Sequence, residues 1–154
     1  MKKIAILSAV AFLVLQHLAA QAHIAPQKVS VVFSAQYPDA AAHWKTVKTG
    51  YEATFHAGDK TRHAYYTPAG GWLRTETTIH WTKNLPPAVR KGFRNSVYAS
   101  YYVEHMVQRD SAEGQIVTID VSQVIDYQMG GLYKDVYRLY FSMDGRLLKT
   151  EKVS

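Results

Sequence analysis

The side chains of this chain best suited to chemistry are its histidines. Six of the 7 follow residue 22, namely His23, His43, His56, His63, His80 and His105. None forms an HExxH pattern, and no pair has the i, i+4 spacing of two helical metal ligands. His56 and His63 flank a predicted turn and could approach each other across a hairpin, but a surface pair of this kind is more often incidental. The sequence therefore predicts no metal site.

Two sets of carboxylates offer a second kind of chemistry. Asp120 and Asp126 are close in sequence, and Glu76 and Glu151 occupy equivalent positions of a repeat described below. General acid–base catalysis needs a cleft and shifted pKa values, and strand carboxylates facing water explain these residues more simply. The chain has no G-x-S-x-G elbow, P-loop, dinucleotide fingerprint or cysteine. We expect no catalytic residue and no cofactor; a hydrolase with a serine nucleophile is the third-ranked alternative.

The N-terminus has the organisation of an export signal. Lys2 and Lys3 precede an apolar run over residues 4–15, and Ala20-Gln21-Ala22 provides a small-x-small cleavage pattern. The run is well short of the about 20 apolar residues of a transmembrane helix. We therefore predict a signal peptide over residues 1–22 and a single domain over residues 23–154. The mature bacterial protein would be periplasmic or secreted, with no stable membrane insertion.

Charge and aromatic content indicate the kind of partner. The formal net charge is +6, and removal of Lys2 and Lys3 leaves +4, dispersed without a basic run. This pattern argues against a nucleic-acid partner. The 11 tyrosines and 3 tryptophans favour strands and recur at protein interfaces. The composition thus points to a protein partner in the cell envelope.

An internal repeat sets the fold. Residues 65–76, YYTPAGGWLRTE, match residues 140–151, YFSMDGRLLKTE, without a gap at an offset of 75. Both segments predict a hairpin around a glycine turn. Residues 26–36 and 86–99 match at an offset of 60 and predict helices that begin at proline. About 15 extra residues then lie between Ser111 and Lys134, including the Gly130-Gly131 loop.

These matches predict an α+β fold of two tandem repeats, residues 26–81 and 86–153. Each repeat is one helix followed by an antiparallel meander. Neither repeat alone has an adequate core. We therefore predict one continuous sheet with both helices on one face.

Strand alternation then divides the hairpin residues between two faces. Leu139, Phe141 and Leu148 are expected in the core, as are their repeat equivalents Ala64, Tyr66 and Leu73. The opposite, uncovered face would carry Arg138, Tyr140, Leu147, Lys149 and Glu151, and their equivalents His63, Tyr65, Trp72, Arg74 and Glu76. Aromatic and basic anchors commonly supply interface hot spots, whereas an ordinary solvated sheet carries similar cross-strand pairs. The predicted binding residues are Tyr65, Trp72, Arg74, Tyr140 and Lys149.

Several motifs resemble the PepSY-like family. They are the exported start, the helix ending in Tyr37-Pro38, Trp44, Tyr51-Glu52-Ala53-x-Phe55, Tyr65-Tyr66-x-x-x-Gly70 with Trp72-Leu73, and Leu85-Pro86-x-x-Val89. The resemblance covers essentially the whole mature chain. It implies a fold similar to that of beta-lactamase-inhibitor protein, with an open concave sheet. It also implies protein binding or the restraint of an enzyme.

Two functions follow as hypotheses. The first is an exported, non-enzymatic protein-binding domain that restrains a peptidase or another envelope enzyme through the open face of its sheet. The alternative is a periplasmic protein that binds a small ligand in an apolar pocket between the sheet and the helices. A closed pocket would favour the second, and a filled core with an open aromatic face would favour the first.

Overall fold

A computed structural model describes residues 25–127 and 131–153. The predicted signal peptide, its cleavage point at His23 and Gly130 lie outside these residues. The helices are α1 (Gln27–Gln36) and α2 (Pro87–Arg94). The strands are β1 (His43–Val47), β2 (Gly50–Ala57), β3 (Lys60–Tyr66), β4 (Trp72–Thr78), β5 (Tyr102–Ser111), β6 (Gly114–Tyr127), β7 (Gly131–Ser142) and β8 (Leu147–Lys152). The predicted α+β class is confirmed.

All eight strands form one sheet in the order β1 to β8. Every neighbouring pair is antiparallel, so the chain is a continuous meander in which each helix precedes four strands. The predicted hairpins at residues 65–76 and 140–151 are confirmed as β3–β4 and β7–β8. Among the described residues, no helix has the length and apolar character that crossing a membrane requires.

Both helices begin after a proline, as predicted, but α2 is shorter than the sequence suggests. It ends at Arg94 rather than Ala99. The Ser96 hydroxyl donates to the Phe93 carbonyl at 2.7 Å and accepts the Tyr98 amide at 3.2 Å, which stabilises a turn in place of further helix. Val97, which follows Val89 and Phe93 at helical spacing, lies beyond the end of α2 and is exposed.

Each helix packs on its own hydrophobic cluster. Val29 and Phe33 of α1 contact Ala53, Phe55, Ala64 and Tyr66, whereas Val89 and Phe93 of α2 contact Met106, Val117, Ile119, Val121, Leu139 and Phe141. Directly paired strand residues point to the same face. Ala64 pairs with Thr75, Thr75 pairs with Asp110, and Asp110 pairs with Gln115, so these residues lie on one face of the sheet. Val117 is two residues after Gln115 on β6 and therefore lies on the same face. The two clusters, and therefore both helices, lie on the same face of the sheet.

The extra residues of the second half lie mostly in the β6–β7 hairpin. Ala53 pairs with Ala64 across β2 and β3, whereas Ile119 pairs with Leu139 across β6 and β7. The pairing of β6 with β7 continues past the last β5 partner, Tyr102 opposite Ser122. The hairpin therefore extends beyond the rest of the sheet on that side, as the sequence offset between helices and hairpins predicts.

Candidate functional site

The face of the sheet opposite the helices is covered by no element of residues 25–127 and 131–153. Strand alternation brings aromatic, basic and acidic side chains together there, because every second residue of each strand points to it. We call this surface the open face. Its central residues are His63, Tyr65, Arg74, Glu76, His105, Val107, Arg109, Thr118, Asp120, Arg138, Tyr140, Lys149 and Glu151.

Tyr65, Arg74 and Glu76 form a compact cluster on β3 and β4. The Tyr65 hydroxyl donates to Glu76 Oε2 at 3.4 Å, and Arg74 Nε donates to Glu76 Oε1 at 2.8 Å. The Arg74 guanidinium lies 3.8 Å from the centre of the Tyr65 ring, within the range of a cation–π contact. A second arginine, Arg109 of β5, donates to the same Glu76 oxygen at 3.3 Å. Glu76 is thus shared by two guanidinium groups and one hydroxyl.

This environment changes the acidity of two of its members. Burial raises the pKa of Tyr65 to about 12, and the negative charges of Glu76 and Glu52 act in the same direction. Burial also disfavours the charged form of Glu76. The hydrogen bond and charge of Arg74, together with the charge of Arg109, outweigh that effect and hold the pKa of Glu76 below its ordinary value. Both groups keep the protonation states in which they bond to each other.

Tyr140, Lys149 and Glu151 repeat this arrangement on β7 and β8. The Tyr140 hydroxyl donates to Glu151 Oε2 at 2.6 Å, and Lys149 forms an ion pair with Glu151. Lys149 Nζ lies 5.6 Å from the centre of the Tyr140 ring. The hydrogen bond to Glu151 raises the pKa of Tyr140, and the hydrogen bond from Lys149 lowers the pKa of Glu151. The predicted binding residues Tyr65, Arg74, Tyr140 and Lys149 therefore fall into two similar clusters on one face.

Asp120 and Arg138 lie between the two clusters. Arg138 donates from Nε and Nη2 to the two oxygens of Asp120 at 2.7 and 2.8 Å, a bidentate pair. The hydrogen bond to Asp120 raises the pKa of Arg138, so its charge is constant at any physiological pH. A depression of about 200 Å³ lies at this point and is lined by Glu76, His105, Val107, Arg109, Thr118, Asp120 and Arg138. The centre of the open face is thus concave and charged.

The fifth predicted binding residue, Trp72, is not on the open face, and that assignment is wrong. A β-bulge shifts the register after Tyr65, so Trp72 pairs with Tyr66 on the helix face. Its ring packs against the α1 cluster, and its Nε1 donates to the buried Thr75 hydroxyl at 3.0 Å. Trp72 therefore contributes to packing under α1.

A matching bulge between Tyr140 and Phe141 changes the faces on which the equivalent residues of β8 lie. Leu147, expected on the open face, pairs with Phe141 on the helix face. Leu148, expected in the core, is 54% exposed at the sheet edge. Leu73, also expected in the core, is the unpaired residue of the first bulge and is only partly buried. Period-two alternation fails here because each bulge inserts one residue into its strand.

The other candidate residues that the structure describes are distributed over several strands. His63 Nδ1 lies 3.0 Å from Glu52 Oε1 and 3.1 Å from the Thr54 hydroxyl, while His56 faces Thr61. Glu76 and Glu151 belong to separate clusters. Asp126 is opposite Leu132 in the long hairpin, and its side chain lies outside the described atoms. No group of three or more His, Asp or Glu able to hold a metal ion occurs within residues 25–127 and 131–153.

Arg109 is the open-face residue that the sequence reasoning missed. It is directly opposite Glu76 in the pairing of β4 with β5. The opposite charges of Glu76 and Arg109 could have identified it once β5 is placed beside β4, because cross-strand neighbours of opposite charge stabilise each other. Matching one repeat to the other could not have found Arg109, because that comparison gives no information on which strands pair where the two halves meet.

Several solved structures of similar fold come from Bacteroides. A DUF2874 family protein from Bacteroides ovatus matches with a TM-score of 0.75 and 26% identity, over 84% of this chain and 89% of that chain. A BLIP-like protein from Bacteroides fragilis matches with a TM-score of 0.74 and 27% identity, over 84% and 87%. A protein of presumed periplasmic location from Bacteroides eggerthii has a TM-score of 0.70 and 24% identity, over 84% and 90%. No family model and no curated protein matches this chain.

These matches support a BLIP-like fold, which the resemblance in sequence also implied, without singling out the PepSY-like family. The likeness to the protein of presumed periplasmic location, at 24% identity, shows the fold alone. The fold and its open charged face are compatible with a binding domain.

Proposed function

We propose that this protein is an exported, non-enzymatic binding domain that engages a protein partner in the cell envelope through the open face. A peptidase or another envelope enzyme, restrained by this contact, is the partner class that we propose. The observation that carries the proposal is the contrast between the two faces of the sheet. One face is covered by both helices, and the other carries ordered aromatic and charged clusters that no described element covers.

The composition of the open face suits a protein interface. Tyrosine and arginine are enriched among the residues that dominate binding energy, because they combine a large rigid surface with hydrogen-bonding groups. Tyr65 and Arg74 are stacked, and both are bonded to Glu76. These side chains are therefore already fixed in the free protein, which lowers the entropy lost on binding.

The alternative of a small-ligand protein has less support. It requires an apolar pocket between the sheet and the helices. Val29, Phe55, Tyr66, Val89, Ile119 and Phe141 fill this space and are at most 2% exposed. Two depressions, of about 290 Å³ beside Pro86 and about 340 Å³ beside Gln36, lie where the helices meet the sheet, and both are lined by polar and charged residues as well as apolar ones. The filled core favours protein binding.

We also infer that the chain is a tandem of two copies of one PepSY-like unit. The turns of the two hairpins have the same hydrogen bonds: the Thr67 amide donates to Gly71 and the Ser142 amide to Arg146. Gly70 approaches α1 at Lys28, and Gly145 approaches α2 at Ala88. These contacts keep the offsets of 75 and 60 residues seen in the sequence. Each unit would then supply one tyrosine cluster to a shared open face.

Site-specific photo-crosslinking in living cells tests the proposal. A photoreactive phenylalanine derivative at Tyr65 or Tyr140 should yield a discrete crosslinked envelope protein, identified by mass spectrometry. The same derivative at Val31, which is 61% exposed on α1, is the matched control and should give none. Crosslinking from Val31 alone would contradict the proposal, because it would place the partner on the helix face.

Export is tested on the same preparation. We propose that residues 1–22 are removed during secretion, as the small-x-small pattern predicts. Mass spectrometry of the protein released from the periplasm should then find an N-terminus at or next to His23. Retention of Lys2 and Lys3 on the released protein would contradict the export signal while leaving the open-face contacts unaffected.

A further inference from the structure

The charges of the open face are arranged in two levels. In its ion pairs the carboxylates of Glu76, Asp120 and Glu151 are 15% to 40% exposed, and the basic partners are 31% to 60% exposed. Within each pair the basic side chain is the more exposed one. The carboxylates therefore lie towards the floor and the cations towards the solvent, so an approaching partner first meets positive charge.

Arg109 has unused hydrogen-bonding capacity at the centre of this surface. Arg138 uses both Nε and Nη2 on Asp120. Arg109 donates only its Nε, to Glu76 at 3.3 Å, and its two Nη groups make no hydrogen bond with the described residues. Arg109 and Arg138 both line the central depression of about 200 Å³. A planar pair of donors is thus available in a concave site.

The depression is lined by two carboxylates and two guanidinium groups, Glu76 and Asp120 with Arg109 and Arg138. Arg138 bonds to both oxygens of Asp120, and Glu76 is shared by Arg74 and Arg109. Within the depression the Nη groups of Arg109 remain available, and guanidinium binds carboxylates through parallel hydrogen bonds that a lysine cannot reproduce.

We infer that the central depression receives an aspartate or glutamate side chain of an acidic protein partner, held by the Nη groups of Arg109 beside Arg138. This inference rests on the proposed function and specifies its partner: a protein segment with an exposed carboxylate. The two tyrosine clusters then lie on either side of the bound side chain, where they contact the flanking residues of the segment.

The test uses defined peptides and nuclear magnetic resonance of the isotope-labelled protein. Hexaglutamate with blocked ends should cause saturable amide shifts at His105, Val107, Arg109 and Thr118. Hexaglutamine with blocked ends should not. Acetate should bind more weakly than hexaglutamate, because it lacks the flanking chain. Equal affinity for acetate and hexaglutamate would overturn the inference, since the depression would then be a small-anion site.

Variants of Arg109 separate a specific contact from general electrostatics. Arg109→Gln should weaken hexaglutamate binding about tenfold, as expected for the loss of charge-assisted hydrogen bonds. Arg109→Lys keeps the charge and should still weaken binding several-fold, because the fork is lost. Arg90→Gln, on α2, where Arg90 Nη1 donates to the Lys83 carbonyl at 2.7 Å, is the matched control and should have no effect. Thermal unfolding of each variant confirms that it is folded.

Two further outcomes would overturn the inference. One is unchanged hexaglutamate affinity in Arg109→Gln; the other is a distribution of shifts over basic residues of both faces. Failure here is distinguishable from failure of the proposed function. A partner crosslinked through Tyr140 would leave the open face as the interface even if the acidic peptide did not bind there.

Discussion

The β3–β4 and β7–β8 hairpins have nearly the same sequence and the same local contacts, but different positions in the sheet. In both, a tyrosine hydroxyl donates to a glutamate that also binds a cation stacked on the tyrosine ring. The first hairpin lies inside the sheet between β2 and β5, whereas β8 is an edge strand. Side-chain exposure differs accordingly: Glu76 is 18% exposed and Glu151 is 40% exposed.

The comparison separates what local sequence encodes from what tertiary position adds. The turn hydrogen bonds and the tyrosine–glutamate contact occur in both of the matching segments, residues 65–76 and 140–151. Burial is the main cause that raises the pKa of Tyr65, whereas the hydrogen bond to Glu151 is the main cause that raises the pKa of Tyr140. A similar cluster should therefore contribute more to stability in the interior of the sheet, because solvent screens the exposed one.

The largest expected difference is between Trp72→Ala and Leu147→Ala, at equivalent positions of the two bulges. Trp72 packs against the α1 cluster and bonds to Thr75, so its truncation should lower the free energy of unfolding by about 3 kcal/mol. Leu147 is 41% exposed, and its truncation should cost below about 1 kcal/mol. Urea denaturation measures both. Equally small losses of unfolding free energy in the two variants would indicate that Trp72 lies on the open face.

The second difference is between Gly145→Ala and Gly70→Ala. Both glycines have positive φ, +87° and +94°, which an alanine adopts only with strain. An added Cβ would lie 2.3 Å from the Ala88 carbonyl oxygen at Gly145, but 3.4 Å from that of Lys28 at Gly70. Gly145→Ala should thus cost about 2–3 kcal/mol and Gly70→Ala about 1 kcal/mol. Thermal unfolding decides, and a reversed order would contradict the closer contact with α2.

The third difference concerns acid stability and compares Glu76→Gln with Glu151→Gln. The folded pKa of Glu76 lies below the ordinary 4.5, so its stabilising effect is complete above that pH and is lost as pH falls through the folded pKa. Glu151 is shifted in the same direction but is more exposed. Chemical denaturation at several acidic pH values should show a flatter pH dependence for Glu76→Gln than for Glu151→Gln. Identical profiles would mean that depth in the sheet has no electrostatic effect.

The smallest effect is spectroscopic and concerns Tyr65. Its pKa of about 12 means that the phenol stays neutral above pH 10, and that its stabilising effect is lost as pH rises from 10 towards 12. Ultraviolet titration of tyrosinate should show that Tyr65→Phe removes a component ionising near pH 12. Circular dichroism over the same range checks that the fold persists. Loss of a component near pH 10 instead would indicate an exposed phenol.

Much of the fold could be predicted from the repeated sequence, because a matched turn and matched apolar positions specify the same hairpin and helix twice. Ala64, Tyr66, Leu139 and Phe141 are all in the core as predicted. Strand alternation assigns Trp72 to the wrong face, because a β-bulge changes which residues point to each face and no change in composition marks the bulge. Arg109 was missed because its partner is on a strand from the other half, and strand pairing at the junction depends on the whole sheet.

Binding to the partner captured through Tyr140 tests the central claim, that the open face is the interface, most directly. The affinity of that partner is measured for Arg74→Ala, on the open face, and Arg90→Ala, on α2. Arg74→Ala should raise the Kd about thirtyfold or more, as truncation of an interface hot spot does. Arg90→Ala should leave it unchanged. An unchanged Kd for Arg74→Ala with weakened binding by Arg90→Ala would place the interface on the helix face and contradict the account.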